Sequence, residues 1–244
     1  MLHYIFIIGT VSLWTALLVP FTILGKLVNP SGKLSHKIGR FWSRGVLGIP
    51  GVRVNVHGLE NIDEKAQYIF ISNHTSAFDI PAIYWGVKNK HGMLAKKQLK
   101  NVPFFGWAMW AAGHYFVDRK NHRKALAVMD QVAEQMSVNK DHSLVIFAEG
   151  TRSMNGQLQS FKKGAFMLSL NTGIPIVPIV INGAYKAKSK KKRRIVAATI
   201  SLTVLPPMDP GNYSPETRQD FVKDARDLFV QHYDAPEVEI PEEK

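Results

Sequence analysis

No charged side chain occurs between Tyr4 and Gly25. A helix that is apolar all round must be buried in protein or in lipid, and about 20 such residues suffice to cross a bilayer core. The run is mostly Ile, Phe, Leu, Val and Trp, with Pro20 near its far end. A cleaved leader would have a basic segment before a shorter apolar stretch and a small-x-small site after it. None of these stands before Lys26, so the segment reads as a retained anchor.

After the turn signal Asn29-Pro30-Ser31-Gly32, the chain changes character. Lys33, Lys37, Arg40 and Arg44 recur at helical spacing among Leu34, Ile38, Phe41, Trp42 and Val46. A basic amphipathic helix over 33–47 suits a lipid headgroup region; the ordinary alternative is a surface helix packed on the domain. Two geometries stay open. Either the first helix spans the membrane with the basic side in the cytoplasm, or both helices form a hairpin within one leaflet, bent at Pro20. The net charge of +12 (31 Lys+Arg against 19 Asp+Glu) asks for an anionic partner of some kind.

Beyond the linker Gly48-Ile49-Pro50-Gly51, strand and helix signals alternate. Strands are expected at Val52–His57, Tyr68–Ile71, Gly92–Ala95, Tyr115–Val117, Leu144–Phe147, Ile176–Ile181 and Ala197–Leu205. Pro178 interrupts the sixth of these and argues for an edge or a bulge there. Helices are expected from Phe78 or Asp79 to Trp85, over 122–138, 162–170 and 215–233, with a turn or helix at Lys96–Lys100. Pro103–Trp110 reads equally as a core helix or as a wall facing lipid. The fold class is therefore α/β: a mixed, largely parallel sheet flanked by helices, preceded by an N-terminal membrane-associating helical segment. The expected organisation is an anchor at 1–49, a catalytic domain at 50–234 and an acidic tail at 235–244.

The chemistry centres on Ser72-Asn73-His74-Thr75-Ser76-Ala77-Phe78-Asp79, where a buried strand hands over to a helix. Open α/β sheets bind their ligands at such strand ends. A carboxylate one turn from an imidazole can orient it and leave its other nitrogen free to take a proton. The plainer alternative is a solvated loop histidine beside a helix-capping aspartate. The chain has no cysteine, which excludes a thiol nucleophile, a Cys-ligated metal and a disulfide framework.

Four blocks then resemble, in order and spacing, the signatures of the glycerolipid acyltransferases. Asn73-His74 with Asp79 is similar to their H-x-x-x-x-D motif, and Gly113-His114-Tyr115-Phe116-Val117-Asp118-Arg119 to their second block. Phe147-Ala148-Glu149-Gly150-Thr151-Arg152-Ser153 resembles F-P-E-G-T-R-S, with Ala148 in place of proline, and Ile176-Val177-Pro178-Ile179 resembles the fourth block. Lys96 and the stretch Phe161–Phe166 resemble the flanks of these blocks. One block is a weak signal and four in order are a strong one. The likeness covers roughly residues 50–210, in particular to the bacterial 1-acyl-sn-glycerol-3-phosphate acyltransferase type.

The resemblance implies that a fatty acyl group passes from a thioester, on coenzyme A or acyl carrier protein, to the sn-2 hydroxyl of lysophosphatidate, giving phosphatidate. His74 is then the general base and Asp79 its orienting carboxylate. Arg119 and Arg152 hold the acceptor phosphate, with Lys96 as a weaker candidate. Glu149 orients Arg152 or meets the acceptor, Gly150 and Thr151 turn their backbone toward it, and Val177, Pro178 and Ile179 wall the acyl chain. No metal and no cofactor are implied, and Ser76 is not needed as a nucleophile. The expected partners are the two substrates and anionic lipids, with acyl carrier protein as one donor carrier left open, and not a nucleic acid. The expected site is a bacterial inner membrane, with the domain on its cytoplasmic face. The seven basic residues in Lys186–Arg194 read as a hairpin loop touching anionic headgroups or donor phosphates. Rival readings are a different lysolipid acceptor and a non-catalytic anionic-lipid-binding protein; a hydrolase lacks the nucleophile elbow.

Overall fold

Runs such as Ile69-Phe70-Ile71 and Leu144-Val145-Ile146-Phe147 offer no polar face to water, so they need a sheet covered on both sides. The computed structural model, which describes residues 1–189 and 194–236, places them at its centre. Strands β1 (Arg53–His57), β2 (Ile69–Ser72), β3 (His91–Lys96), β4 (Tyr115–Val117), β5 (Ser143–Phe147), β6 (Ile176–Asn182) and β7 (Thr199–Val204) form one sheet, ordered β1-β7-β6-β2-β5-β3-β4. All neighbours are parallel except β6 and β7. This is the mixed, largely parallel sheet expected from the alternation of elements.

Side-chain alternation splits the core in two. Phe70, Val145, Val177, Ile179 and Ile181 point to the face covered by helices α1 (Leu2–Val28), α2 (Lys33–Gly48) and α3 (Asp79–Gly86). Ile69, Ile71, Ile146, Ile176 and Val180 point to the opposite face, covered by α5 (His122–Val138), α6 (Gly164–Thr172) and α8 (Arg218–His232). Phe166, Phe221 and Phe229 are fully buried there, each contributing about 1.5–3 kcal/mol by leaving water. Between α3 and α5 lies α4 (Phe105–Ala111), and a single turn, α7 (Ala184–Ala187), follows β6. The sheet neighbours β2 and β5 thus send their following helices, α3 and α6, to opposite faces. That divergence opens a crevice at their carboxyl ends.

Pro178 is not at an edge, because β6 lies between β7 and β2. Its carbonyl accepts from Leu205, so the missing N–H points to the β7 side. There the ladder steps from Ile179↔Val204 to the bridge Ile176↔Met208, three residues against four. An extra residue at this bulge removes the need for a proline donor.

The N-terminal helices are an antiparallel pair. α1 runs unbroken through Pro20. Trp14 donates through Nε1 to the Trp42 carbonyl (3.0 Å), and Trp42 donates to Thr15 Oγ1 (3.0 Å). Ser35 donates to the Thr22 carbonyl at 3.1 Å. The close approach depends on Gly45: a Cβ there would lie 2.2 Å from Trp14 Nε1. The outer face of α1 carries Leu13, Leu17, Phe21, Leu24 and Leu27 to the exterior, and that of α2 mixes Lys33, Lys37 and Arg44 with Leu34 and Phe41. β6 and β7 are antiparallel neighbours, and the basic stretch lies between them in the sequence. Of that stretch, residues 190–193 lie outside the described residues, as do residues 237–244 of the acidic tail.

Candidate active site

His74 follows directly on the carboxyl end of β2. Its neighbour Asn73 fixes the exit, donating to the Ile181 carbonyl (2.9 Å) and accepting from the Ile181 N–H (2.8 Å). The side-chain amide thus continues the β2–β6 ladder one step past the strand and delivers His74 to the rim. Asp79 is the first residue of α3, with Phe78 as its cap. Its buried Oδ2 accepts from the backbone N–H of Thr75 (2.7 Å) and Ser76 (2.8 Å) and lies 2.7 Å from His74 Nδ1. A carboxylate can only accept, so the proton in that bond is on Nδ1, and in the neutral ring the lone pair is on Nε2. The imidazole stacks on Phe147, with ring centroids 3.8 Å apart. Three contacts therefore fix the ring: a carboxylate, an aromatic face and an anchored backbone.

Glu149 differs from expectation. Only 2% exposed, it turns inward instead of toward Arg152 or an acceptor. Oε1 accepts from the His74 N–H (2.9 Å), and Oε2 from the Gln159 backbone (3.2 Å) and side chain (2.8 Å). Burial pushes its carboxyl pKa up, opposed by these three donors. Glu149 thus pins the loop after β5 to the turn after β2, a link completed by the Ser153 N–H to the His74 carbonyl (2.8 Å). Gln159 had no motif to announce it. Gly150 makes its turn at φ +73°, with its N–H committed to the Phe147 carbonyl. Ser76 Oγ donates to the Lys188 carbonyl (2.8 Å) and accepts from the Phe78 N–H (3.2 Å), so it is no free nucleophile and ties the basic connection to the histidine turn.

A cavity of about 770 Å³ opens at His74. Arg119, Arg152, Lys96, Lys120, Gly150 and Thr151 contribute to its wall, bringing together five of the residues singled out for the acceptor. The Arg119 guanidinium donates to the Gly150 carbonyl and to Leu94 O (3.3 Å), spanning the ends of β3 and β5. Burial lowers its pKa, and Lys188 is lowered by burial and by nearby Arg152. The Lys188 shift records a neighbouring cation as well as burial, and the Arg119 shift records burial alone. Away from these cations the wall turns apolar, with Leu18 and Val19 of α1, Trp42 of α2, Met93 and Ala95 of β3, and Phe105, Ala108 and Met109 of α4.

Val177, Pro178 and Ile179 are not part of this wall. They sit in the interior of the sheet, hydrogen-bonded on both sides and buried beneath the helices. A central strand has no surface left for a ligand; the apolar wall comes instead from α1, α2, α4 and β3.

Tyr84 and His114 also line the cavity, their side chains 3.1 Å apart. They belong to a buried group with His36, His91 and His142; His36 Nε2 lies 3.3 Å from His91 Nδ1. Burial lowers all four histidines: His36 to about 3, His114 and His142 to about 4, and His91 also well below its ordinary value. Neighbouring cations Arg40 and Lys90 add to the effect, and Asp141 opposes it at His142. In the unfolded chain these groups protonate near pH 6.5. Between that value and about 4 the unfolded state therefore binds more protons, and stability falls as pH falls. We expect the urea-unfolding free energy in micelles to drop from pH 7 to pH 5, by about 2 kcal/mol for each of His36, His114 and His142. A flat profile over that interval would show that these histidines are not held neutral.

Comparison with known proteins bears on the family and the fold. The sequence model of the family described as Acyltransferase matches residues 53–182. The human 1-acyl-sn-glycerol-3-phosphate acyltransferase alpha is 34% identical over 166 residues, covering 68% of this chain and 58% of the relative. The 1-acyl-sn-glycerol-3-phosphate acyltransferase of Saccharomyces cerevisiae is 36% identical over 182 residues, 74% of this chain and 59% of the relative. That of Cocos nucifera is 34% identical over 203 residues, 83% and 64% respectively. The chain thus spans about three fifths of the length of these relatives. The fold matches the crystal structure of the 1-acyl-sn-glycerophosphate (LPA) acyltransferase PlsC from Thermotoga maritima, with TM-score 0.78 and 24% identity over 95% of this chain and 92% of that one.

Proposed function

This chain belongs to the acyltransferase family, and on that premise we propose that it esterifies the sn-2 hydroxyl of lysophosphatidate from an acyl thioester, forming phosphatidate. One observation carries the reading. A carboxylate-held imidazole lines a cavity whose wall combines the cations Lys96, Arg119, Lys120 and Arg152 with apolar side chains of α1, α2, β3 and α4.

His74 Nε2 takes the acceptor's hydroxyl proton as that oxygen attacks the thioester carbonyl. The C–O bond forms, the tetrahedral adduct collapses, and the C–S bond breaks. The departing thiolate recovers the proton from the imidazolium, which Asp79 stabilises meanwhile. The acceptor brings the nucleophile, so the enzyme needs none. Arg119 and Arg152 receive the phosphate, Arg by the planar fork that matches such an anion. The apolar wall formed by α1, α2, α4 and β3 takes an acyl chain.

The hairpin of α1 and α2 binds one leaflet. α1 packs laterally on α2 and walls the cavity with Leu18, Val19 and Thr22. A fully spanning α1 would have to carry these contacts into the hydrocarbon with it. Lying in one leaflet, α1 offers its leucine face to acyl chains while Lys33, Lys37 and Arg44 of α2 meet headgroups.

The test is transfer of a labelled acyl group by purified protein in micelles, across a panel of acceptors and from both coenzyme A and acyl carrier protein thioesters. Lysophosphatidate should be acylated far faster than lysophosphatidylcholine or monoacylglycerol, whose headgroups lack a dianionic phosphate. Equal rates on all acceptors would refute the phosphate site. Binding of lysophosphatidate without transfer from either donor would leave only a lipid-binding protein.

A further inference from the structure

We propose that α4 and the turn before it form a second bilayer-contacting surface, inserted beside α1 into an anionic leaflet. The inference rests on the membrane reading above and extends it to a part of the catalytic domain. Helix α4 has two apolar faces, which a short surface helix in water does not need. Phe105, Ala108 and Met109 line the cavity. Phe104, Trp107 and Trp110 point outward and are 62%, 58% and 62% exposed, with Leu99 and Val102 beside them at 36% and 43%. Contiguous exposed aromatics of this size mark an interaction surface.

Three observations choose lipid as the occupant. The patch lies on a helix that packs against α1, whose own outer face is exposed and apolar. Its border is basic, with Lys97 and Lys100 exposed in the 97–101 turn, and amphipathic tryptophans suit the level between headgroups and chains. The turn and the helix are also closely packed: the Gly106 N–H bonds the Val102 carbonyl, and a Cβ on Gly106 would lie 2.2 Å from the Lys100 carbonyl oxygen, so the lysine turn sits directly against the aromatic helix. Phe104 holds a positive φ (φ +59°, ψ −46°), and its exposed ring packs against Trp107, centroids 5.4 Å apart. A cavity wall is thereby laid against the lipid that holds the acceptor.

The absence of cysteine makes the test direct, since any introduced thiol is the sole labelling site. An environment-sensitive fluorophore is attached to full-length Trp107→Cys, Trp110→Cys, Leu17→Cys (outer face of α1) or Val138→Cys (end of α5). Each protein is mixed with phosphatidylcholine–phosphatidylglycerol vesicles, with or without nitroxide-labelled lipid. Labels at 107 and 110 should brighten several-fold, shift to the blue and be quenched by the nitroxide, with the 138 label unchanged. Lys97→Glu with Lys100→Glu should weaken that response on these anionic vesicles. A response at 17 with none at 107 and 110 would overturn this inference alone, and no response at any position would overturn the membrane reading with it. A shift at 107 that needs no vesicles and grows with protein concentration would assign the face to a second copy instead.

Discussion

His74→Ala is expected to lower the transfer rate constant by about 10²–10⁴-fold, the usual contribution of a general base, with little change in acceptor KM or in the folded circular-dichroism spectrum. The ring is partly exposed at the cavity and its alanine variant keeps the backbone bond to Glu149 that organises the turn. Asp79→Asn should approach the same loss by a different route. An asparagine can present its oxygen to the Thr75 and Ser76 N–H groups, where Oδ2 accepts now, and place its amide where Oδ1 has no hydrogen-bond partner among the described residues. The turn survives, but a neutral amide no longer stabilises the imidazolium. Rate measurements beside thermal unfolding separate the two cases: undiminished turnover in either variant would remove the base from the mechanism.

Arg152→Ala is expected to act on acceptor binding. Charge-assisted hydrogen bonds contribute about 1.5–3 kcal/mol, corresponding to roughly a 10–150-fold rise in KM for lysophosphatidate. Arg119→Ala should do more, because Arg119 also bridges Leu94 and Gly150 and so holds the cavity's rim. Its loss should therefore lower kcat as well as raise KM. Steady-state kinetics varying the acceptor at saturating donor decide this. An unchanged acceptor KM in Arg152→Ala would deny it a place at the phosphate.

Local signals explain what could be read early. Helix α5 has the bounds expected over 122–138, since its amphipathic run begins at Asn121, whose side chain caps the Lys124 N–H at 3.0 Å. The strands were legible because apolar runs broken by turn residues can do little else in a covered sheet. Facing was not legible. A fully apolar run such as Ile176–Ile181 looks the same whether it walls a ligand or fills a core, and only the sheet order made Val177, Pro178 and Ile179 interior. Glu149 beside Arg152 suggested an ion pair by proximity in sequence, yet the sharp turn at Gly150 sends the carboxylate inward to Gln159. The pairing of Asn73 with Ile181 and the gathering of His36, His91, His114 and His142 join residues far apart in the chain, so no local pattern announced them. In α4, Phe105, Ala108 and Met109 line the cavity while Trp107 and Trp110 are exposed, a division that an all-apolar run does not reveal.

The most direct measurement is a single turnover: enzyme in excess over a thioester carrying a radiolabelled acyl group, mixed with lysophosphatidate and quenched over time. One-step transfer with His74 as base predicts that label passes from thioester to phosphatidate without accumulating on the protein, and that without acceptor it stays on the thioester. Label fixed covalently to the protein before phosphatidate appears, or no phosphatidate from an intact, folded enzyme, would contradict it.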